Sequence, residues 1–264
     1  MTKLRIMALF VWLVVFIGCA AGNVEDQTAP TLPDDVYEEI LTHYHNHQYD
    51  LVKQYISRSQ ESGVRDKRLY FLSGILAWQS ENHEQAKSAF QQAVDLDPEY
   101  SDAYNNLGIL YMADKEYAKA ESSFHNALRN PLYLTPEKAL VNLGKVMEAK
   151  DNPAFAEQYY RKAIKYKPDF FQAYYNLGML FYHTDKIKQA VTVFDQAAKL
   201  APRWPNVWFW YGMSLKRINE NEKSRAAFEK VLKLSSDTEV ARQAELQLQG
   251  SPASEIMQEK KRVK

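Results

Sequence analysis

The sequence predicts an all-α solenoid of about six helix hairpins, closed by a short C-terminal capping helix. Two observations of spacing and one of composition predict it. Five of the nine glycines, Gly74, Gly108, Gly144, Gly178 and Gly212, recur at intervals of 34, 36, 34 and 34 residues. From each glycine a small residue follows twelve positions on (Ala86, Ala120, Ala156, Ala190, Ser224) and an aromatic sixteen positions on (Phe90, Phe124, Tyr160, Phe194, Phe228). Ala93, Ala127, Ala163, Ala197 and Val231 lie three residues beyond those. Nine Gly and ten Pro in 264 residues leave little material for a turn-rich β architecture or for phosphate-cradling loops. A single Cys excludes an internal disulfide and a multi-cysteine zinc site, and 33 basic against 33 acidic residues excludes the strongly basic surface that nucleic acid requires.

The chain starts with a different kind of segment. Lys3 and Arg5 precede an unbroken apolar run from Ile6 to Ile17. Twelve helical residues are too few to cross a hydrocarbon core of ~30 Å, but they suit the core of a signal peptide. The run ends in Phe16-Ile17-Gly18-Cys19-Ala20, with the sole Cys directly after a small residue. This resembles a bacterial lipoprotein signal. The resemblance implies lipid transfer to the Cys19 sulfur, cleavage after Gly18 and, with Ala20 next in line, sorting to the outer membrane with the body facing the periplasm. Phe16 departs from the leucine usual in that signal, and an ordinary secretory signal with an incidental Cys is the alternative. Removing residues 1–18 takes away Lys3 and Arg5 and leaves 31 basic against 33 acidic residues, so the anchoring falls to the acyl chains. Residues 19–32 then read as the lipidated Cys and a flexible tether, since AGNVEDQTAPTLP has no apolar period.

The hairpins follow from periodicity. Tyr104, Leu107, Gly108 and Tyr111 share one helical face, and Ala120, Phe124 and Ala127 share another on the next helix. Gly108 and Ala120 lack bulk where two antiparallel helices cross, and the aromatics are expected to fill the neighbouring groove. Pro98, Pro168 and Pro202 end units because Pro cannot continue a helix. Stacked hairpins then bury a continuous core. The stretches YNNLGILYMADKEYAKAESSFHNAL and YYNLGMLFYHTDKIKQAVTVFDQAAKLAP resemble the tetratricopeptide repeat family. Repeats are expected at about 67–100, 101–134, 137–170, 171–204 and 205–236. A weaker one at 33–64 is in register, with Tyr49 matching Tyr117 but no glycine. The capping helix is placed at 239–249, and 250–264 is a basic tail with Lys260, Lys261, Arg262 and Lys264.

That resemblance implies that the first helix of each pair lines a concave face. Read at the family's inward positions, the protein-binding residues would be Phe71, Ile75 and Trp78, then Asn105, Ile109 and Met112, then Val141 and Lys145. Tyr175, Met179 and Tyr182 follow, and Phe209, Trp210 and Met213 complete the set. Arg68, Asp102, Lys138, Glu148, Gln172, Asn206 and Lys216 stand at the more polar inward places. A contiguous stripe of aromatics and Met marks an apolar interaction site, although about a third of it would serve to pack neighbouring repeats. The carboxylate clamp of chaperone-tail binders is incomplete. Asn106, Asn142 and Asn176 hold one clamp position, but Phe71, Ile75, Asn105, Ile109, Val141 and Lys145 hold the accompanying ones.

The 36-residue interval accommodates Asn130-Pro131-Leu132-Tyr133-Leu134-Thr135-Pro136-Glu137. Thr135 is placed to cap the next helix, Pro136 suits its first turn, and Glu137 its positive end. The same element, a lipidated Cys and six repeats resemble the PilF/PilW/Tgl group of type IV pilus biogenesis lipoproteins. That resemblance implies a pilotin: a non-enzymatic escort that binds a pilus secretin and promotes its outer-membrane assembly. The expected partner offers an amphipathic or apolar segment, and no cofactor, small-molecule substrate or nucleic acid is called for. The alternatives are a general envelope adaptor for other complexes such as cell-wall enzymes, and a metal-dependent hydrolase centred on His43 and His47. Those two histidines would share a face on a helix, with His45 pointing away, but residues 46–48 read as a loop. No P-loop, dinucleotide-binding turn, H-E-x-x-H helix or nucleophile elbow occurs.

Overall fold

The computed structural model describes residues 30–249, and the expectations for Cys19, the tether and the basic tail lie outside them. The described residues form thirteen helices and no strand. They fall into two compact units, one reaching Arg65 and one starting at Asp66.

The first unit holds α1 (Asp34–His45) and α2 (Tyr49–Glu61), packed as a hairpin on Ile40, Val52 and Ile56. Tyr55 donates its hydroxyl to Glu39 at 2.9 Å and stacks on His43.

The second unit contains five hairpins and a last helix. These are α3 (Lys67–Gln79) with α4 (His83–Leu96), α5 (Ser101–Ala113) with α6 (Tyr117–Ala127), and α7 (Pro136–Ala149) with α8 (Pro153–Tyr166). Then come α9 (Phe171–His183) with α10 (Ile187–Leu200), α11 (Pro205–Arg217) with α12 (Asn221–Leu234), and α13 (Glu239–Gln249). Each second helix packs on the first helix of the next hairpin, while α5, α7, α9, α11 and α13 also touch in turn. The first helices therefore form the inner layer of the stack.

Glycine and aromatic meet directly rather than as neighbours in a groove, which corrects the expected role of the aromatic. A Cβ on Gly74 would lie 2.6 Å from the Phe90 ring, and one on Gly178 would lie 2.6 Å from that of Phe194. Phe90, Phe124, Tyr160 and Phe194 are all fully buried there. The last hairpin is looser: a Cβ on Gly212 would stand 2.9–3.1 Å from Phe228, and Ser224, in place of the usual Ala, donates to the Gly212 carbonyl at 2.8 Å.

One residue in every hairpin turn has a left-handed backbone: His47, Glu81, Lys115, Asp151, Asp185 and Asn219, with φ between 54° and 63°. They recur at the repeat interval, and His47 brings the first unit's hairpin into the series. Around them the ends of the first helices close as Schellman turns. The Glu81 N–H bonds to the Trp78 carbonyl at 2.8 Å and the Asn82 N–H to the Ala77 carbonyl at 2.9 Å. In two hairpins the following Asn starts the next helix as well, its side chain accepting from Gln85 and Phe155. None of the six is glycine, yet a long side chain strains this conformation where Asn or Asp is tolerated. Lys115→Gly should therefore raise stability by about 0.5–1 kcal/mol, and Asn219→Gly should change it little. Chemical denaturation of the two variants checks this, and a loss at position 115 would contradict it.

The stretch 130–136 departs from expectation in its capping. Pro136 opens α7 as expected, but Thr135 makes no side-chain capping bond. Glu137 stands in the first turn of α7 as expected, and, buried at 1 % exposure, it also pairs with Lys167 of the following connection at 3.2 Å, which ties two repeats together.

Candidate functional site

The inner layer is built from one stripe per first helix. On α3, Phe71, Ile75 and Trp78 are half-buried, with the Phe71 ring 5.6 Å from Phe90 and 5.1 Å from Tyr100. On α5, Ile109 and Met112 are half-buried, as are Tyr175, Met179 and Tyr182 on α9 and Trp210 and Met213 on α11. Tyr182 and Trp210 meet edge-on at 5.2 Å, and the Arg217 guanidinium lies 5.2 Å from the Tyr182 ring centre. This joins the α9 and α11 stripes into one aromatic surface.

Three expected surface positions instead belong to packing. Asn105, Val141 and Phe209 are buried. Asn105 accepts a hydrogen bond from the Asn142 side chain at 3.1 Å, Val141 is part of the central core cluster, and Phe209 packs on Phe228 at 5.8 Å. Asn105 is covered by the next first helix, whereas Phe209 is covered by the second helix of its own hairpin.

The middle hairpin adds polar groups to this apolar surface. Lys145 and Glu148 are half-buried on α7. Burial pushes the Lys145 ammonium below its usual range, partly opposed by Glu148. Burial also raises the Glu148 carboxyl, opposed by its hydrogen bond from the Tyr160 hydroxyl and by His183 and Lys145. Asp102 on α5 is raised by burial as well, with Lys138 opposing. The Glu148–Tyr160 bond was not anticipated. Its signal in the sequence is that Tyr160 alone among the five ring positions carries a hydroxyl, while Glu148 alone among the equivalent inward places (Trp78, Met112, Glu148, Tyr182, Lys216) is an acid. An apolar band interrupted by these groups suits an amphipathic peptide whose apolar side meets the rings and whose polar side meets Asp102, Lys145 and Glu148.

The histidine cluster takes another geometry. The helix ends at His45, and His47 lies beyond it in the left-handed turn, bonded to the Tyr49 hydroxyl at 2.8 Å. His43 bonds to Gln48 at 2.6 Å. The paired helical face needed for a metal does not form, and no group of three potential ligands occurs among the described residues.

Two solved structures share this fold. One, described as a functional characterization of Pseudomonas aeruginosa pilF, superimposes with a TM-score of 0.70 at 15 % identity, covering 81 % of this chain and 96 % of that one. The other, PilW, described as a widely conserved type IV pilus biogenesis factor, gives 0.70 at 16 % identity over 78 % and 94 %. Among curated proteins, the uncharacterized protein ycf37 of Cyanophora paradoxa is 35 % identical over 108 residues, which is 38 % of this chain. The chain spans 63 % of that relative's length and less of the next ones. The family model for the tetratricopeptide repeat matches residues 71–132, 138–203 and 205–238, which is more than half of the sequence. The stacked hairpins, the glycine–ring contacts and these matches agree, and the chain belongs to the tetratricopeptide repeat family, whose arrays are scaffolds for protein partners.

Proposed function

We propose that this protein is a non-enzymatic, lipid-anchored outer-membrane scaffold whose inner face takes up an amphipathic segment of a type IV pilus secretin and promotes its assembly. The observation that carries the reading is the set of partly exposed apolar side chains on the inner layer, Ile109 and Met112 on α5 and the joined Tyr175, Met179, Tyr182 and Trp210 on α9 and α11, with Lys145 and Glu148 between them. A neutral escort needs such a surface, because an unassembled membrane-inserting subunit carries apolar faces that must be covered. The pilus assignment is supported by the shared fold with PilF and PilW over most of both chains and by the NPLYLTPE element; the membrane assignment is supported by Cys19 in its signal context.

The test separates groove from anchor. In the full chain, Met179→Glu with Tyr182→Glu should weaken binding of the secretin by at least tenfold, roughly the loss of one buried hot-spot side chain. Cys19→Ser should lose the stable acyl anchoring and keep secretin binding, since the tether divides the two tasks. Normal secretin multimers and normal piliation in a strain lacking the gene would overturn the pilus assignment. In that event the envelope-adaptor reading is the one to follow.

A further inference from the structure

In the second unit, every connection from one hairpin to the next lies along a single edge. The connections are tied in a row. Lys67 pairs with Asp97, the Asn130 side chain donates to the Glu99 carbonyl at 3.0 Å, Lys167 reaches Glu137, and Phe171 meets Trp204 edge-on at 4.4 Å.

Large apolar side chains face water at Leu96 in the first connection and in the three that follow, 129–138, 165–171 and 199–205. Leu132 is 81 % and Leu134 89 % exposed, and Tyr166 and Leu200 at the ends of α8 and α10 are exposed too. The two leucines are held out by their surroundings. Tyr133 between them is buried, with its hydroxyl short of hydrogen-bond geometry and pushed up to about 12 by burial. Asn130 accepts the Leu132 N–H on its side chain at 2.9 Å and the Tyr133 N–H on its carbonyl at 3.2 Å. Pro131 and Pro136 fix the backbone on either side. Neither leucine contributes to the core, so the fold does not account for them.

The charge on this edge is equally uneven. The same three connections carry Arg129, Lys138, Lys165, Lys167, Lys199 and Arg203 against Glu137 and Asp169, a surplus of four positive charges in a chain of zero formal net charge. The preceding connection, with Asp95, Asp97, Glu99 and Asp102, is acidic, so the surplus is local. Among the described residues no helix is long and apolar enough to cross a membrane. Projecting leucines, a Tyr and a Trp at their margin and a surround of cations are the composition of a peripheral contact with anionic lipid.

We propose that this edge is a membrane-contact surface, in which Leu132 and Leu134 enter the interfacial layer of an anionic bilayer while Arg129, Lys165 and Arg203 meet lipid phosphates. The contact is separate from the acyl anchor, and it needs neither the inner-face partner nor the pilus assignment.

In the full chain carrying Cys19→Ser, no native thiol remains, so a single introduced cysteine can hold an environment-sensitive fluorophore. Leu134→Cys reports the edge, and Ala154→Cys, exposed at the start of α8, reports the opposite end of that hairpin. On vesicles of phosphatidylglycerol and phosphatidylethanolamine, the label at 134 should shift to the blue and be quenched by acyl-chain bromines, while the label at 154 should not. Arg129→Glu with Lys165→Glu should cut the quenching at 134 by roughly fivefold or more, as should high salt or neutral phosphatidylcholine vesicles. A label at 134 that stays in water in the presence of the anionic vesicles, whether or not they hold the chain, overturns the proposal, and so does equal quenching at both positions. A blue shift at 134 that appears without lipid, through self-association or a protein, also overturns it.

Discussion

Phe194→Ala should destabilise the second unit by about 4 kcal/mol, the largest loss expected from any single truncation in the central core. Phe194 has no exposed surface, meets the Tyr175 ring at 6.1 Å and lies in the cluster that joins α7 through α11. Truncated side chains cost least where neighbours can collapse into the space, and here they cannot. The walls of the cavity are Gly178, which has no side chain to offer, and the backbone of α9, already held close by the turn at Asp185. An array is coupled mainly to nearest neighbours, so the damage should be local at first. Hydrogen exchange should lose protection in residues 171–200 and the facing side of α8 and α11 well before residues 67–96. Uniform loss across all five hairpins would show that the stack unfolds as one cooperative body. By contrast Leu134→Ser, at a side chain that touches no core, should shift stability by no more than about 0.5 kcal/mol.

The hairpins were legible because the fold repeats one constraint five times. A glycine and a ring sixteen residues later must coincide wherever two helices cross at that distance, so the period in the sequence is the period of the contact. The inner face was legible only in part. The stripe on each first helix follows from its helical period, but whether a residue is covered depends on how the next first helix is rotated, and no residue type signals that. Asn105 is buried against the next first helix and Phe209 against Phe228 of its own hairpin, while Ile109 and Trp210, four and one positions along, are not buried. The left-handed turns were hidden for a different reason. Their positions are filled by His, Glu, Lys, Asp, Asp and Asn, with the glycine that usually announces such a turn absent from all six. Capping at Thr135 was misread because the residue type fits the position while the backbone there, at φ −132° and ψ 50°, leaves the hydroxyl without the bond.

Gly144→Ala should lose about 2 kcal/mol, although alanine is the better helix former by about 1 kcal/mol. A Cβ at 144 would stand 2.7 Å from two atoms of the Tyr160 ring. That ring cannot swing aside, because its hydroxyl is bonded to Glu148 at the far end and the residue is fully buried. At Gly212 the same substitution meets Phe228 at 2.9–3.1 Å in the looser last hairpin, with no hydroxyl tie, and the gain in helix propensity should nearly cancel the crowding. The cause can be isolated in a double-mutant cycle. In a Tyr160→Ala background, already weakened by the loss of the ring, Gly144→Ala should become neutral or stabilising, giving a coupling of about 3 kcal/mol. If the two substitutions add, or if positions 144 and 212 respond alike, steric seating of the ring is not what fixes glycine at this interval. The reversal of sign is the decisive feature, because a glycine kept for backbone flexibility would be harmed by alanine whether or not the ring is there.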